Sequence, residues 1–478
     1  VALPWGHVTI GQTRLAIVDR RQIPVPFRFP AIGVSLAYNG EVYNWRALRD
    51  ELDDGIPWET ECDAEVVARA WRAWGPSMLD RLNGMWGLVL VDERAGEVFI
   101  ARDRAGEKPV YWSLVCGALH VASEAKALPG PHAEVACPEM EALECDCTER
   151  TPLAGVHVLP PGTYLRLRSL GDALAPDPVT WWTLPSDETD EYPVGIEGER
   201  RAAVQLASLL DDAIRLRDAG EVPVAVMLSG GLDSAIIQAV AREERLYCVT
   251  FPEIDNLTAA KAAAGRGRHV IPVTFGLDDL LGDLPAVAYC LDTPATWTAV
   301  AQWFLMRRAA ANGVRVVLSG EGADEVFLGY ARYRLLWHVE QATADPVLAA
   351  YGPLREYMLG RDNAAILARL MLRSPDTRLL GVTRALVERF GTGRGLVADA
   401  ARVDFYTTMQ ALLRMADRMA AAHSIENRSP FLDYRIMEWG ARLPGRLKID
   451  RVQTKAVLRA AALMLGVPAS IVHETTKR

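Results

Sequence analysis

A short glycine-rich segment between an apolar run and a helical pattern constrains the fold of this chain more than any other feature. The segment Leu228–Ser234, with the sequence LSGGLDS, follows the apolar run Val222–Met227, and a helical pattern begins at Ala235. Glycines let the backbone approach an anion closely, and a helix N-terminus offers free N–H groups and a partial positive charge. The order of strand, glycine-rich turn and helix therefore predicts a phosphate-binding loop.

One residue of this loop indicates a metal ion as well as phosphate. A carboxylate beside phosphates is repulsive unless a cation bridges them, so Asp233 predicts Mg²⁺. The loop lacks the Lys of a GxxxxGK(S/T) motif, which argues against a kinase or a GTPase. The string SGGLDS after a strand resembles the PP-loop of ATP pyrophosphatases, enzymes that split ATP into AMP and pyrophosphate.

A second turn later in the chain repeats this arrangement. The strand-like run Val314–Leu318 ends in a glycine-containing turn, and three carboxylates follow, Glu321, Asp324 and Glu325. We predict that Asp233 and Asp324 share the metal ion on the pyrophosphate. We predict that Glu321 faces the acceptor as a base or an orienting group.

The composition favours an enzyme that acts on small molecules in the cytoplasm. A length of 478 residues predicts two or three domains, and a net charge of −9 without a Lys/Arg-rich run argues against a nucleic-acid partner. No apolar run approaches the about 18 residues of a transmembrane helix. The seven cysteines are scattered and odd in number, which suggests reduced thiols, and the N-terminus resembles neither a signal nor a transit peptide.

The pattern of apolar residues divides the chain into two parts. The first is rich in short strand-like runs and contains one helical segment at Cys62–Trp74. The second alternates helices with apolar strands, which predicts a parallel sheet with helices on both faces, and it becomes mostly helical from about Leu336. We predict a first domain at residues 1–185, a polar linker at 186–196 and a second domain at 197–478.

Several motifs resemble those of glutamine-dependent asparagine synthetases and their relatives. In the second part they are SGGLDS at Ser229–Ser234, LSGEGADEVFLGY at Leu318–Tyr330 and DRMAAAHSIENRSPFLD at Asp417–Asp433. In the first part, class II glutaminase motifs match Arg14–Asp19, Tyr38–Asn44, Asp63–Glu65, Leu82–Met85, Ala101–Asp103 and Ala122–Leu128. The resemblance covers essentially the whole chain.

The resemblance implies a two-domain enzyme that forms carbon–nitrogen bonds. The first domain is expected to be an αββα Ntn-type glutaminase sandwich that lacks the family's first strands. The second is expected to be a Rossmann-like, parallel-sheet PP-loop ATP pyrophosphatase with a helical C-terminal part. Such an enzyme uses ATP and Mg²⁺ to adenylate a small-molecule carboxylate acceptor, and it aminates the adenylate with ammonia from glutamine. No nucleic acid or membrane is implied, and homodimers are common in the family.

The resemblance also implies roles for single residues of the first domain. Arg14 is expected to pair with the glutamine carboxylate, a task that suits a bidentate guanidinium. Asn39 and Gly40 resemble the catalytic oxyanion hole, which they form with side-chain and backbone N–H groups. Asp63 resembles the carboxylate that holds the glutamine amino group.

In the second domain, the implied sites lie on the two turns and at the chain end. The expected metal ligands are Asp233 and Asp324, and the catalytic residues are Glu321 and Lys477. Lys477 stands where the family has an RxKxGF motif, whose Lys neutralises charge that develops on the phosphates. The expected ATP-binding residues are Leu228, Ser229, Gly230, Gly231, Leu232, Asp233, Ser234, Val249, Ser319 and Gly320.

The beginning of the sequence departs from the family pattern. The family's glutaminase nucleophile is an N-terminal Cys whose own amino group serves as the base, whereas this sequence starts with Val1. We expect a leading segment that carries this Cys, because all four residues assigned to glutamine binding are kept. Cys62 cannot substitute for it, because it is not N-terminal. The alternative is an inactive glutaminase domain.

The acceptor is predicted not to be aspartate. The stretch Leu291–Gln302 differs from the Thr- and Arg-containing stretch with which asparagine synthetases hold aspartate, and it contains no Arg. We expect a larger carboxylic acid, to which Trp297 and Trp303 offer apolar contact.

Two other functions stay open at this point. An enzyme with an inactive glutaminase domain would use an amine already present on its substrate and close an internal amide, as β-lactam synthetases and lasso-peptide cyclases do. A silent binding or scaffold protein is the third possibility. The intact carboxylates Asp233, Glu321 and Asp324 argue against the third.

Overall fold

The computed structural model describes residues 1–53, 55–130, 133–143, 149–218, 221–241, 243–250, 256–265, 267–292, 296–344, 363–371, 376–450 and 452–473. The strands are β1 (Ala2–Leu3), β2 (Gly6–His7), β3 (Phe27–Phe29), β4 (Val34–Val42), β5 (Gly84–Asp92), β6 (Glu97–Arg102), β7 (Tyr111–Val115), β8 (Ala118–Ala122), β9 (Val156–Val158), β10 (Thr163–Leu167), β11 (Val179–Thr180), β12 (Val224–Met227), β13 (Leu246–Val249), β14 (Val270–Val273), β15 (Val316–Leu318) and β16 (Glu426–Arg428).

The helices are α1 (Trp45–Glu51), α2 (Asp63–Trp74), α3 (Met78–Arg81), α4 (Pro138–Leu143), α5 (Leu170–Leu174), α6 (Ile196–Asp218), α7 (Leu232–Ala241), α8 (Asn256–Ala264), α9 (Leu277–Leu291), α10 (Trp297–Ala311), α11 (Ala323–Phe327), α12 (Ala331–Ala344), α13 (Asn363–Met371), α14 (Leu380–Phe390), α15 (Leu396–Tyr406), α16 (Thr408–Ala421), α17 (Tyr434–Arg442), α18 (Gly445–Lys448), α19 (Ala456–Met464) and α20 (Ala469–Val472). Within the described part of the chain, no helix has both the length and the apolar character required to cross a membrane.

The first domain consists of antiparallel sheets. A six-stranded sheet has the order β11-β10-β6-β5-β4-β3, and a three-stranded sheet has the order β8-β7-β9. Helix α2 covers one face of the larger sheet and packs on β4. On the opposite face, Val91, Ile100 and Leu165 share a core cluster with Leu119 and Val121 of the smaller sheet. This layering confirms the predicted glutaminase-type sandwich.

The second domain is built on a parallel sheet with the order β14-β13-β12-β15-β16. Side chains alternate between its two faces, because strand residues point in opposite directions in turn. Val224 and Val226 join the core formed with α6 and α7, and Ala225 joins the core formed with α10 and α16. The chain runs outward from β12 to β14 and then crosses back to β15. The carboxyl ends of β12 and β15 therefore flank a topological switch point, where ligands of such sheets bind.

The described chain after Leu336 is mostly helical, as predicted, and the edge strand β16 is an exception within it. Glu426–Arg428 lie in this region and pair with β15, with Val317 opposite Asn427. The strand consists of three residues, all of them polar. It therefore shows neither the apolar alternation nor the β-branched residues from which a strand is predicted. Its backbone pairing with β15 places it in the sheet.

Buried charges join the two domains. Asp433 of the second domain accepts hydrogen bonds from Asn83 of the first domain at 2.9 Å and from Arg217 at 3.0 Å. Burial would raise the pKa of Asp433, but Arg435 and Arg217 outweigh this and hold it below its ordinary value. Since buried charges need partners, these contacts fix how the domains meet.

The Arg217–Asp433 pair leads to a prediction about stability. Both side chains are fully buried. Arg217→Met therefore removes one of the cations that offset the buried negative charge of Asp433. We expect a loss of about 3 kcal/mol in the free energy of unfolding, measured by urea denaturation at pH 7. Arg200→Met is the matched control on the same helix, because Arg200 pairs with Glu197 in the solvent, and it should change stability little. Equal effects of the two substitutions would contradict the prediction.

Candidate active sites

The predicted phosphate-binding loop lies between β12 and α7. Gly230 has a φ of 83°, and a Cβ there would lie 2.6 Å from the Cβ of Ala259, so the loop requires glycine at this position. Ser229 Oγ and Ser234 Oγ lie 3.2 Å apart, so a hydrogen bond joins the first and last residues of the loop. Helix α7 begins at Leu232 with its N-terminus at the loop. The arrangement matches the sequence-based expectation of a helix N-terminus behind a glycine-rich turn.

The second turn lies beside the first, between β15 and α11. Gly322 has a φ of 87°, and a Cβ there would lie 2.3 Å from a methyl carbon of Leu432. Glu321 is held in place by neighbouring donors. Ser319 Oγ donates to its carboxylate, and Ser429 Oγ lies 3.4 Å from the same oxygen. Glu321 is thus a fixed carboxylate at the carboxyl end of β15.

A lysine that the sequence analysis did not single out joins the two turns. Lys455 Nζ lies 2.6 Å from an oxygen of Asp233 and 2.6 Å from an oxygen of Asp324. Burial would lower the pKa of Lys455, but the two carboxylates outweigh it and raise its pKa above the ordinary value. Lys455 is therefore a permanent cation between the two predicted metal ligands. Its sequence signal is weak: a single Lys just before the apolar helix α19.

These groups line one cavity of about 430 Å³. Eight predicted site residues line it: Leu228, Ser229, Asp233, Ser234, Val249, Gly320, Glu321 and Asp324. The remaining predicted ATP-site residues, Gly230, Gly231, Leu232 and Ser319, belong to the two turns without lining the cavity. A second cavity of about 440 Å³ lies against the interdomain linker and is lined by none of the predicted site residues.

Lys477, Trp297 and Trp303 are the remaining residues to which the sequence assigns a role in the second domain. Lys477 lies outside the described residues. Neither Trp297 nor Trp303, which were expected to offer apolar contact to the acceptor, lines this cavity. Trp297 is 68% exposed, and Trp303 is buried with its ring against His423.

The donor set around Asp233 and Asp324 fits a magnesium ion only together with a substrate. The oxygens of both carboxylates converge on one point, where they already hold a cation. Among the described residues, no three side chains of His, Cys, Asp or Glu are grouped as a metal site. Mg²⁺ commonly takes one or two carboxylates and completes its shell with phosphate oxygens and water. Two carboxylates beside a phosphate-binding loop suit that chemistry.

In the first domain, the predicted oxyanion residues lie on β4. Gly40 faces β5 so closely that a Cβ would lie 2.2 Å from the carbonyl oxygen of Met85, which explains the glycine. Asn39 is exposed. Arg14 Nη2 donates hydrogen bonds to the carbonyl oxygens of Val18 and Asp19 at 2.8 and 2.7 Å, and these bonds hold its guanidinium in place.

Asp63 and Cys62 lie at the start of α2, close to these groups. Asp63 is buried, and its Oδ2 accepts hydrogen bonds from Tyr38 Oη at 2.8 Å and from the Val42 N–H at 2.9 Å. Arg14 Nη2 lies 3.9 Å from Cys62 Sγ, so the predicted glutamine-binding residues Arg14 and Asp63 are brought together around this thiol. Burial and the neighbouring Asp63 raise the pKa of the Cys62 thiol far above its ordinary value.

A short path of contacts connects the two sites. Glu41, which follows Gly40, lies 3.6 Å from the guanidinium of Arg428 on β16. The carbonyl oxygen of Arg428 accepts a hydrogen bond from Ser319 N–H, and the next residue, Ser429, contacts Glu321. Strand β4, through Glu41, and the predicted catalytic carboxylate of Glu321 are thus both tied to β16.

Removal of Lys455 gives a prediction that does not depend on activity. In Lys455→Met, two neighbouring carboxylates lose their shared cation, so the protein should be less stable in metal-free buffer. Mg²⁺ should then raise the thermal midpoint of this variant by about 2 to 4 °C more than that of the wild type. Scanning calorimetry with and without Mg²⁺ measures both effects. Lys261→Met, at an exposed position, is the control, and equal responses to Mg²⁺ in all three proteins would refute the idea.

The raised pKa of Cys62 predicts an unreactive thiol. Because the thiolate is the reactive form, iodoacetamide at pH 8 should leave Cys62 unlabelled in the folded protein. Cys116 is exposed and should be labelled within the same period. Peptide mapping by mass spectrometry distinguishes the two, and rapid labelling of Cys62 would reopen its candidacy as a nucleophile.

Comparison with known proteins agrees with this geometry. The family model described as asparagine synthase matches residues 205–478, and the one described as a glutamine amidotransferase domain matches residues 3–177. A Mycobacterium tuberculosis protein with the provisional name asparagine synthetase (glutamine-hydrolyzing) is 32% identical over 98% of this chain and 78% of its own length. Asparagine synthetase (glutamine-hydrolyzing) 1 of Bacillus subtilis is 28% identical over 95% of this chain and 77% of its own. The chain therefore belongs to the asparagine synthase family, with a glutamine amidotransferase domain followed by an ATP-dependent synthetase domain.

Proposed function

We propose that this protein is an amidotransferase that adenylates an acceptor carboxylate with ATP and aminates it with ammonia from glutamine. The observation that carries the proposal is the meeting of two turns at one cavity. One turn offers N–H groups and hydroxyls to phosphates, and the other offers Glu321. Asp233, Asp324 and Lys455 lie between them. A phosphate site and a fixed carboxylate in the same cavity suit attack of a substrate carboxylate on a nucleotide.

In the synthetase domain, the loop Ser229–Ser234 would hold the phosphates that leave as pyrophosphate. Its glycine-rich backbone and the N-terminus of α7 favour negative charge. Lys455 would remain beside these phosphates and offset the charge that grows as the bond to AMP breaks. When bound, Mg²⁺ would supply further positive charge between the carboxylates of Asp233 and Asp324 and the phosphates.

Glu321 would act in the amination step. Its carboxylate is held by Ser319 and Ser429 and lines the cavity, so it faces the place where an acceptor would lie. Attack of ammonia on the acyl-adenylate yields a nitrogen that must lose a proton. Glu321 is placed to accept that proton or to orient the attacking ammonia.

The first domain would release the ammonia. Arg14 and Asp63 would bind the two charged ends of glutamine, and Asn39 and Gly40 would stabilise the oxyanion. The thiol of Cys62 is not suited to serve as the nucleophile, because its pKa is raised by burial and by Asp63. This half of the proposal therefore needs a nucleophile other than Cys62.

Two finer points of the proposal have physical support. The described residues that line the cavity include no Arg, Lys or His, so a dicarboxylate such as aspartate would lack a partner for its second charge. Aspartate is therefore not the proposed acceptor. A cytoplasmic location agrees with the free thiols of Cys62, Cys116, Cys248 and Cys290, and a homodimer remains an expectation from the family.

The substitution Asp233→Ala separates the two halves of this function. We expect pyrophosphate release from ATP to fall at least about 100-fold, because the phosphates lose a metal-binding carboxylate. Any glutamine hydrolysis by the first domain should persist. Pyrophosphate is measured by a coupled assay with ammonium as the nitrogen source and a panel of carboxylic acids, and glutamate is measured separately.

Asp278→Ala is the matched control for this experiment, because Asp278 is exposed on α9. It should leave both activities unchanged. Full adenylation by Asp233→Ala would remove this residue from the metal site, and a wild-type protein that releases no pyrophosphate with any carboxylate would refute the proposed function.

A further inference from the structure

Helix α10 forms the wall of the cavity beside Glu321. Thr298, Ala301, Gln302 and Leu305 all line the cavity. Their spacing of three, four and seven residues places them on one face of the helix, and Phe304 on the opposite side is buried in the core. Of these four, only Gln302 combines a long polar side chain with near-complete burial, at 7% exposure.

The amide of Gln302 has one satisfied end and one unsatisfied end. Its Nε2 donates towards Glu321 Oε1 at 3.5 Å. Its Oε1 is buried and has no hydrogen-bond partner among the residues that the structure describes. A buried carbonyl oxygen without a donor is destabilising, because the hydrogen bonds that it makes to water in the unfolded chain are not replaced. Since Gln302 lines the cavity, a bound molecule with an N–H or O–H group would recover this energy.

The charges around Gln302 favour a donor over a second carboxylate. Glu321 and Glu325 line the cavity near its amide, and Lys455 is engaged with Asp233 and Asp324. No described residue that lines the cavity carries a positive side chain. A second acceptor carboxylate would therefore meet the Glu321 carboxylate and the electron-rich carbonyl oxygen of Gln302, both of which repel it.

We propose that Gln302 determines acceptor specificity, and that the acceptor is a carboxylic acid with a hydrogen-bond donor, an amide, amine or hydroxyl group, which binds Gln302 Oε1. This inference rests on the proposed adenylation of a carboxylate. Gln302 positions the acceptor through its carbonyl oxygen, while its Nε2 continues to hold Glu321. The donor group would lie on the acceptor away from the carboxylate that reacts with ATP.

Three isosteric acids test the inference in ATP–pyrophosphate exchange, which needs neither glutamine nor ammonia. Succinamate offers an amide N–H, levulinate replaces that amide with a methyl ketone, and succinate carries a second carboxylate. For the wild type, kcat/KM should be roughly 3- to 10-fold higher with succinamate than with levulinate, and lowest with succinate. In Gln302→Met the ratio of succinamate to levulinate should fall to about 1, because the acceptor oxygen is gone.

Gln238→Met is the matched control. Gln238 is also buried, and its Oε1 likewise has no partner among the described residues, but Gln238 lies on α7 and does not line the cavity. The ratio should therefore stay at its wild-type value. A purely structural role of Gln302 would lower exchange equally with all three acids and would overturn the inference. Preference of the wild type for succinate would overturn it while adenylation stands. Exchange with none of the three acids would also overturn it, and adenylation would be refuted as well only if no acid of the wider carboxylate panel released pyrophosphate.

Discussion

The pairing of β12 with β15 is the constraint on which the synthetase site depends. The two strands run parallel in register, with Val226 opposite Leu318, so the turns that follow them leave the sheet at the same level. Each turn leads into a helix with an acidic residue in its first turn, Asp233 in α7 and Asp324 in α11. Two carboxylates brought together in this way repel one another. Lys455, from a segment far along the chain, resolves that conflict, and its charge becomes part of the site.

The junction between the domains follows a related rule. Lys108 of the first domain pairs with Asp417 at 2.8 Å, and both side chains are buried. Asn83 and Arg217 both bond to Asp433. Such contacts add little stability beyond the cost of burying their charges, but a shifted interface would leave each charge without a partner. The interface therefore selects one arrangement of the domains, and that arrangement keeps Glu41 beside Arg428 of β16, the strand that pairs with β15.

Local chemistry explains which parts of the structure were predictable. The two glycine-containing turns were predicted because their glycines, flanking strands and carboxylates are contiguous in the sequence. The parallel sheet was predicted from apolar runs such as Val222–Met227 and Val314–Leu318, while the polar strand β16 was missed because its position depends on backbone pairing alone. Lys455 was missed for a similar reason, because its partners are distant in the sequence. Asp233 lies 222 positions away, and the other partner is Asp324. That Trp297 and Trp303 do not line the cavity was not predictable, because the face of α10 that meets the cavity depends on how the helix packs.

The same packing bears on what the enzyme can accept. The rotation of α10 that turns Trp303 into the core also turns Gln302 towards Glu321. The cavity thus presents carboxylates and one carbonyl oxygen to an acceptor, and the cation nearest to it is already shared by two aspartates. An acceptor with a second negative charge would need a cation brought by another group, whereas one with a donor needs none. Selectivity among carboxylic acids then follows from the rotation of a single helix, which no local sequence motif specifies.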